Sequence, residues 1–269
     1  MRARSAEDAP PAGATQFPRP RCRIGATQRQ GAAVASVRIP IAAPVSDRRF
    51  YSGMAVAIAL TAFAGFAPTF YLRSAFTALP LSPLIALHGT LFTGWILLLL
   101  AQASLVAARR VDWHRRLGLA GVVLAAAMLP VGSLAAIDSA RGGVAHGGLD
   151  PLAFMAVPFG SLALFVACFG AALWQRRRPE LHKRLVLLAT IAILTPAIAR
   201  LGFVGQRPVI ALALTSLFVL AGIAYDYASR RHVHPAYLWG GLAILASGPL
   251  RILIGRSGAW HALAAFLVG

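Results

Sequence analysis

The sequence is poor in charge. Charged residues fill 13% of its 269 positions and only 8 of them are acidic, whereas an ordinary soluble domain carries about 25% charged residues. Together with a hydrophobic content of 58%, that scarcity excludes a soluble globular enzyme. Cysteine is nearly absent too. Cys22 stands in the leading segment and Cys168 inside an apolar run, so there is no disulfide framework, thiol redox chemistry is not expected, and no C-x-x-C-H marks covalent haem attachment. Lysine occurs once, at Lys183. A retinal Schiff base needs a lysine within a membrane span, and Lys183 falls at a helix mouth, so a retinal protein is excluded. The first fifty residues contain no secretory signal core, and no catalytic motif is visible anywhere.

What the chain does contain is seven apolar runs of about 18 residues or more, each long enough to cross a hydrocarbon layer of roughly 30 Å. They fall near residues 52–72, 81–107, 117–136, 152–174, 185–204, 209–225 and 236–254. The expected fold is all-α, a polytopic transmembrane bundle. Residues 1–51 carry nine arginines and six prolines without a sustained apolar run, which reads as a disordered basic tail. Residues 52–255 form the membrane domain. Residues 256–269, with Trp260, are too short to span and are expected to lie in the interface.

The net charge of +18 would suit nucleic acid in a soluble protein. Here most arginines lie between apolar runs, where they set orientation and meet anionic headgroups, so the bilayer and its anionic lipids are the expected partners and nucleic acid is not. Arg109, Arg110, Arg115, Arg116, then Arg176, Arg177, Arg178, Lys183, Arg184, then Arg230 and Arg231 share one side. The other side has Arg73, Arg141, Arg200, Arg207, Arg251 and Arg256. The positive-inside rule makes the richer side cytoplasmic, with the amino terminus inside and the carboxyl terminus outside.

Two connections look like copies. Spans two and three turn through Arg109-Arg110-Val-Asp-Trp-His114-Arg115-Arg116-Leu117, and spans four and five through Arg176-Arg177-Arg178-Pro-Glu-Leu-His182-Lys183-Arg184-Leu185. A duplicated two-helix hairpin explains both and sets His114 and His182 at equal depth. Neutral imidazoles ligate iron well, so the pair is a candidate for axial haem ligands, with nearby arginines neutralising propionates. The alternative is that both are interfacial anchors. His232 and His234 form an H-x-H that reads as a solvated pair.

On the other side, His88, Asp138, Arg200 and Arg251 come to similar depths. Ionisable groups so placed face a bundle interior or a water-filled cavity, and this set keeps a net positive charge, suiting a small anionic ligand in an outward-facing cavity. Alternatively Arg200 and Arg251 snorkel to headgroups. Pro68, Pro130, Pro158, Pro196 and Pro249 all lie in the outer halves of spans, where kinks are expected to open a vestibule.

From His88 to Arg200 the pattern Leu87-His88-Gly, Trp95, Gln102, His114-Arg-Arg-Leu-Gly118 and Pro179-Glu-Leu-His182-Lys-Arg-Leu-Val-Leu-Leu-Ala189 resembles a group of bacterial membrane proteins with no assigned activity, which implies an inner-membrane location. More distantly, the repeated hairpins and helix-mouth histidines are similar to the superfamily of cytochrome b561 and ferric reductase membrane domains. That resemblance implies haem b held between histidine pairs in a four-helix core, although those proteins place their ligands within the spans. Two functions therefore stand open: a membrane protein binding a small anion at its outer face, and a haem b electron carrier using His114 and His182.

Overall fold

The computed structural model describes residues 45–269 apart from 144, 146 and 206; most of the expected basic tail, with Cys22, lies outside the described residues. The described residues are helical with no β-strand. In chain order the helices are α1 (Val45–Phe66), α2 (Arg73–Phe76), α3 (Pro83–Ala107), α4 (Val111–Arg141), α5 (Pro151–Trp174), α6 (Pro179–Ala192), α7 (Thr195–Ala199), α8 (Pro208–Arg230), α9 (Pro235–Gly255) and α10 (Gly258–Val268). Seven spans of 21 to 31 residues are long and apolar enough to cross a membrane, with α6 and α7 together forming the fifth. At a rise of about 1.5 Å per residue all of them cover a bilayer core.

Proline sets where these helices begin. It is the first residue of α3, α5, α6, α8 and α9, a position where the missing N–H costs no hydrogen bond and the fixed φ already suits the helix. Ser82 and Asp150 cap α3 and α5 by accepting from Ile85 N and Ala153 N at 3.3 and 2.9 Å, as short polar side chains do at an N-cap. The first span starts at Val45 rather than at residue 52. Likewise α4, α6 and α8 extend past the apolar runs into charged sequence, because a helix continues through the headgroup layer wherever its end groups find partners.

The prolines inside spans act differently. Pro68 lies in a π-helical turn, Ala67–Tyr71, that continues α1. Pro196 interrupts the fifth span between Ala192 and Thr195. Pro130, Pro158 and Pro249 sit inside continuous helices.

The fifth span is the most enclosed, with 56% of its apolar window buried against at most 39% in any other. Leu187, Leu188, Ala189, Ile191 and Ala192 are core residues, and buried Trp95 donates from Nε1 to Thr190 Oγ1 at 3.2 Å. The periphery is apolar: Leu60, Leu97, Leu119, Val123, Leu217 and Leu253 are each more than half exposed, the inverse of a soluble exterior and the surface that lipid requires. The short α10 folds back on α4 and α5, with Trp260 donating to the Leu152 carbonyl at 2.9 Å and Arg141 to the Val268 carbonyl at 2.8 Å.

The starts of α1, α4, α6 and α9 and the ends of α3, α5 and α8 gather at what we call the basic end, since the arginine-rich hairpins lie there. At the opposite end two helix pairs touch through their backbones. A Cβ on Gly65 would fall 2.0 Å from the Ala197 carbonyl oxygen, and one on Gly255 would fall 2.4 Å from that of Ala153. Small residues permit such approach in membranes, where association depends on packing. Gly65→Ala is therefore expected to destabilise the protein by about 1–3 kcal/mol, read as a lower unfolding temperature in detergent. Gly53→Ala, with nothing within 4 Å of its Cβ position, is the control and leaves the transition within about 0.5 kcal/mol.

Candidate functional site

The basic end is organised by ionised side chains drawn from segments far apart in sequence. Arg184 in α6 and Asp226 in α8 are both fully buried. Arg184 meets the carboxylate with two donors, Nε to Oδ2 at 2.9 Å and Nη2 to Oδ1 at 2.5 Å, the fork geometry that makes guanidinium–carboxylate pairs directional. Its Nη1 reaches Glu180 Oε2 at 2.9 Å, and its guanidinium lies over the Tyr237 ring, 5.8 Å from the centroid. Asp226 also accepts from the His234 backbone N at 3.1 Å and from Arg230 at 3.3 Å. A second centre forms on Asp47 of α1, also buried, which takes Lys183, the Tyr225 hydroxyl and Arg230 Nη2. Three carboxylates thus face three cations, and the cluster is neutral as a whole. Nearby, outside the spans, burial and the Arg184 charge hold the His234 imidazole below its ordinary range, so its Nδ1 accepts from Ala236 N at 3.1 Å and caps α9.

Beside this network stand His114 and His182, the fourth residues of α4 and α6. Their ring centres are 6.4 Å apart and their planes stand at 90°. His182 donates from Nδ1 to the Ala172 carbonyl at 2.9 Å, the outer hydrogen bond that in a ligand histidine directs Nε2 at the metal. His114 is a buried-in-part ring whose Nδ1 has no hydrogen-bond partner. The backbone of Gln102 lies against it, and the Gln102 Oε1 is buried and unpartnered as well. Among the described residues no three His, Cys, Asp or Glu come together as a metal-ion site. The H-x-H pair is split, His234 serving as a cap while exposed His232 contacts the Arg230 carbonyl at 3.0 Å.

At the opposite end the four residues named from sequence do not form one cluster. His88 stacks on Phe92 at 4.3 Å, and its Nδ1 is buried without a partner. Arg200 is near enough to act on it electrostatically. The Arg200 guanidinium lies 5.0 Å from the Phe66 ring centroid and donates to the Pro196 carbonyl at 2.9 Å. Arg251 is buried between α5 and α9, donating to Ser161 and Ser247, each at 2.8 Å. Asp138 is exposed and pairs with no described residue.

The six-residue network is not visible in the sequence: Asp47 lies in the expected tail, and Asp226 one residue past the expected end of a span. Its signal was a carboxylate embedded in apolar sequence, which marks a paired group by default.

No family model, no curated protein and no solved structure matches this chain.

A buried ion pair resists loss of one partner far more than loss of both, because the survivor is left charged in a poorly solvated site. Arg184→Met is expected to lower stability by about 3–5 kcal/mol, while Arg184→Met combined with Asp226→Leu costs distinctly less. Thermal unfolding of the detergent-purified variants gives the comparison; equal losses would show that the pair is not buried.

Proposed function

We propose that the protein is a multi-pass inner-membrane haem b carrier that holds the iron between His114 and His182 at its cytoplasmic face. One observation carries the reading, the perpendicular imidazole pair with ring centres 6.4 Å apart. Two imidazoles on opposite sides of one ion, with metal–nitrogen bonds of about 2.0 Å, need centres roughly 6 Å apart. A bare metal ion asks for three or four protein ligands, more than the two histidines here, whereas a haem iron would need only His114 and His182 from the chain. The His114 Nδ1 is buried without a hydrogen-bond partner, a ring nitrogen open to ligation. The donor set fits.

When bound, haem b supplies a one-electron couple. The chain does the rest. The Ala172 carbonyl fixes the tautomer and direction of the His182 ring, as outer partners of metal-bound histidines do. Arg115, Arg116, Arg176, Arg177 and Arg178, next to the two hairpins, supply positive charge for propionates. The excess of arginine at this end supports its cytoplasmic placement by the positive-inside rule, with the amino terminus on the same side, the carboxyl terminus outside, and anionic headgroups around the hairpins.

Protein expressed with haem supplementation and purified in detergent is expected to show a Soret band, with sharp low-spin bands on reduction. His114→Ala and His182→Ala each abolish the low-spin spectrum, and His232→Ala, at an exposed histidine outside the pair, retains it. Wild-type protein that folds but shows no Soret band contradicts the assignment.

A further inference from the structure

The ends of the bundle differ in how they treat buried charge. At the basic end Lys183, Arg184 and Arg230 all meet carboxylates. Arg251 at the other end is only 8% exposed, yet its partners are the neutral hydroxyls of Ser161 and Ser247, and it forms no ion pair with any described residue. An unpaired buried charge costs several kcal/mol even after relaxation, so a guanidinium kept in this position calls for a counter-charge.

The side chain is not reaching for headgroups. Ser247 lies one helical turn before Arg251 on α9, so the guanidinium runs back toward the middle of the helix and away from its end at Gly255. Its route is open because position 160 of α5 is glycine: a Cβ there would lie 2.7 Å from Arg251 Nε and 2.8 Å from Cδ and Cγ. Gly160 and Ser161 together thus form a slot that takes the stem and a hydroxyl that takes the head.

The hydrogen-bond inventory is one-sided. Two guanidinium N–H groups reach the serine oxygens; Nε is buried with no acceptor, and each terminal nitrogen keeps a further N–H. Ser247 passes its own proton to the Ile244 carbonyl at 2.6 Å, whereas the Ser161 proton has no acceptor among the described residues. Surplus donors and one uncompensated positive charge therefore converge in a low-dielectric site.

We propose that Arg251, Ser161 and Ser247 form a binding site for a small monovalent anion, a halide or a short carboxylate. The anion neutralises the guanidinium and accepts its free N–H groups and the Ser161 hydroxyl. This site is separate from the histidine pair and stands whether or not haem is bound. Enclosure by α5 and α9 limits its size, and the single cation favours one negative charge over two.

The test uses the full chain purified in detergent with gluconate, a bulkier anion than chloride or formate, as the only anion. Chloride, or separately formate, then replaces gluconate at constant ionic strength while the unfolding temperature is recorded. A rise that becomes linear in log concentration above Kd is expected, since a ligand at free concentration L that binds only the folded state stabilises it by RT ln(1 + L/Kd). Ser161→Ala should weaken the apparent affinity about tenfold, one hydrogen bond to a charged group being worth about 1.4 kcal/mol or more. Arg251→Met should abolish the response. Should Arg251→Met fail to fold, Ser161→Ala carries the test alone. A wild-type unfolding temperature indifferent to both anions, or an unchanged response in Ser161→Ala, overturns the proposal.

Discussion

A guanidinium and a carboxylate can lie together out of reach of solvent only if each finds its full set of partners, and the Arg184–Asp226 pair meets that condition with groups from separate parts of the chain. Asp226 is shared by Arg184, Arg230 and the backbone N of His234; Arg184 is shared by Asp226 and Glu180. Through Asp47 the same cluster holds the start of α1. Four spans are thereby fixed at one end, and α6 cannot slide or rotate without leaving a charge unpaired. His182 lies two residues before Arg184, so its position opposite His114 follows from the ion pair.

The opposite end relies on contact instead. Gly65 and Gly255 bring helix backbones together, and hydroxyls take the place of carboxylates around Arg251. The buried cations of the basic end meet carboxylates, whereas buried Arg251 meets hydroxyls alone. The basic end sets two imidazoles side by side, one of them oriented by the Ala172 carbonyl. The other end keeps a buried guanidinium that pairs with no carboxylate among the described residues.

The seven spans were legible because hydrophobic length is written directly in sequence, and the histidine pair was legible because a repeated hairpin puts His114 and His182 at matching positions. The ion network was not. Asp47 and Arg230 are 183 residues apart, and no local spacing announces their contact. Drawing each span at the edge of its apolar run left Asp47 and Asp226 outside, although both belong to helices that continue past that edge. Hydropathy also gives the depth of a residue without its direction. The direction in which Arg251 runs depends on Gly160 and Ser161, two residues on another helix. Pro196 and Pro130 looked alike in sequence, yet only the first interrupts its span.

The low-temperature EPR spectrum of the ferric protein would test the proposed haem b binding most directly. With His114 and His182 holding the iron and their planes at 90°, a strongly anisotropic low-spin signal would be expected, and its loss in His182→Ala. A high-spin signal, or the low-spin signal of near-parallel rings, would contradict the pairing of His114 with His182.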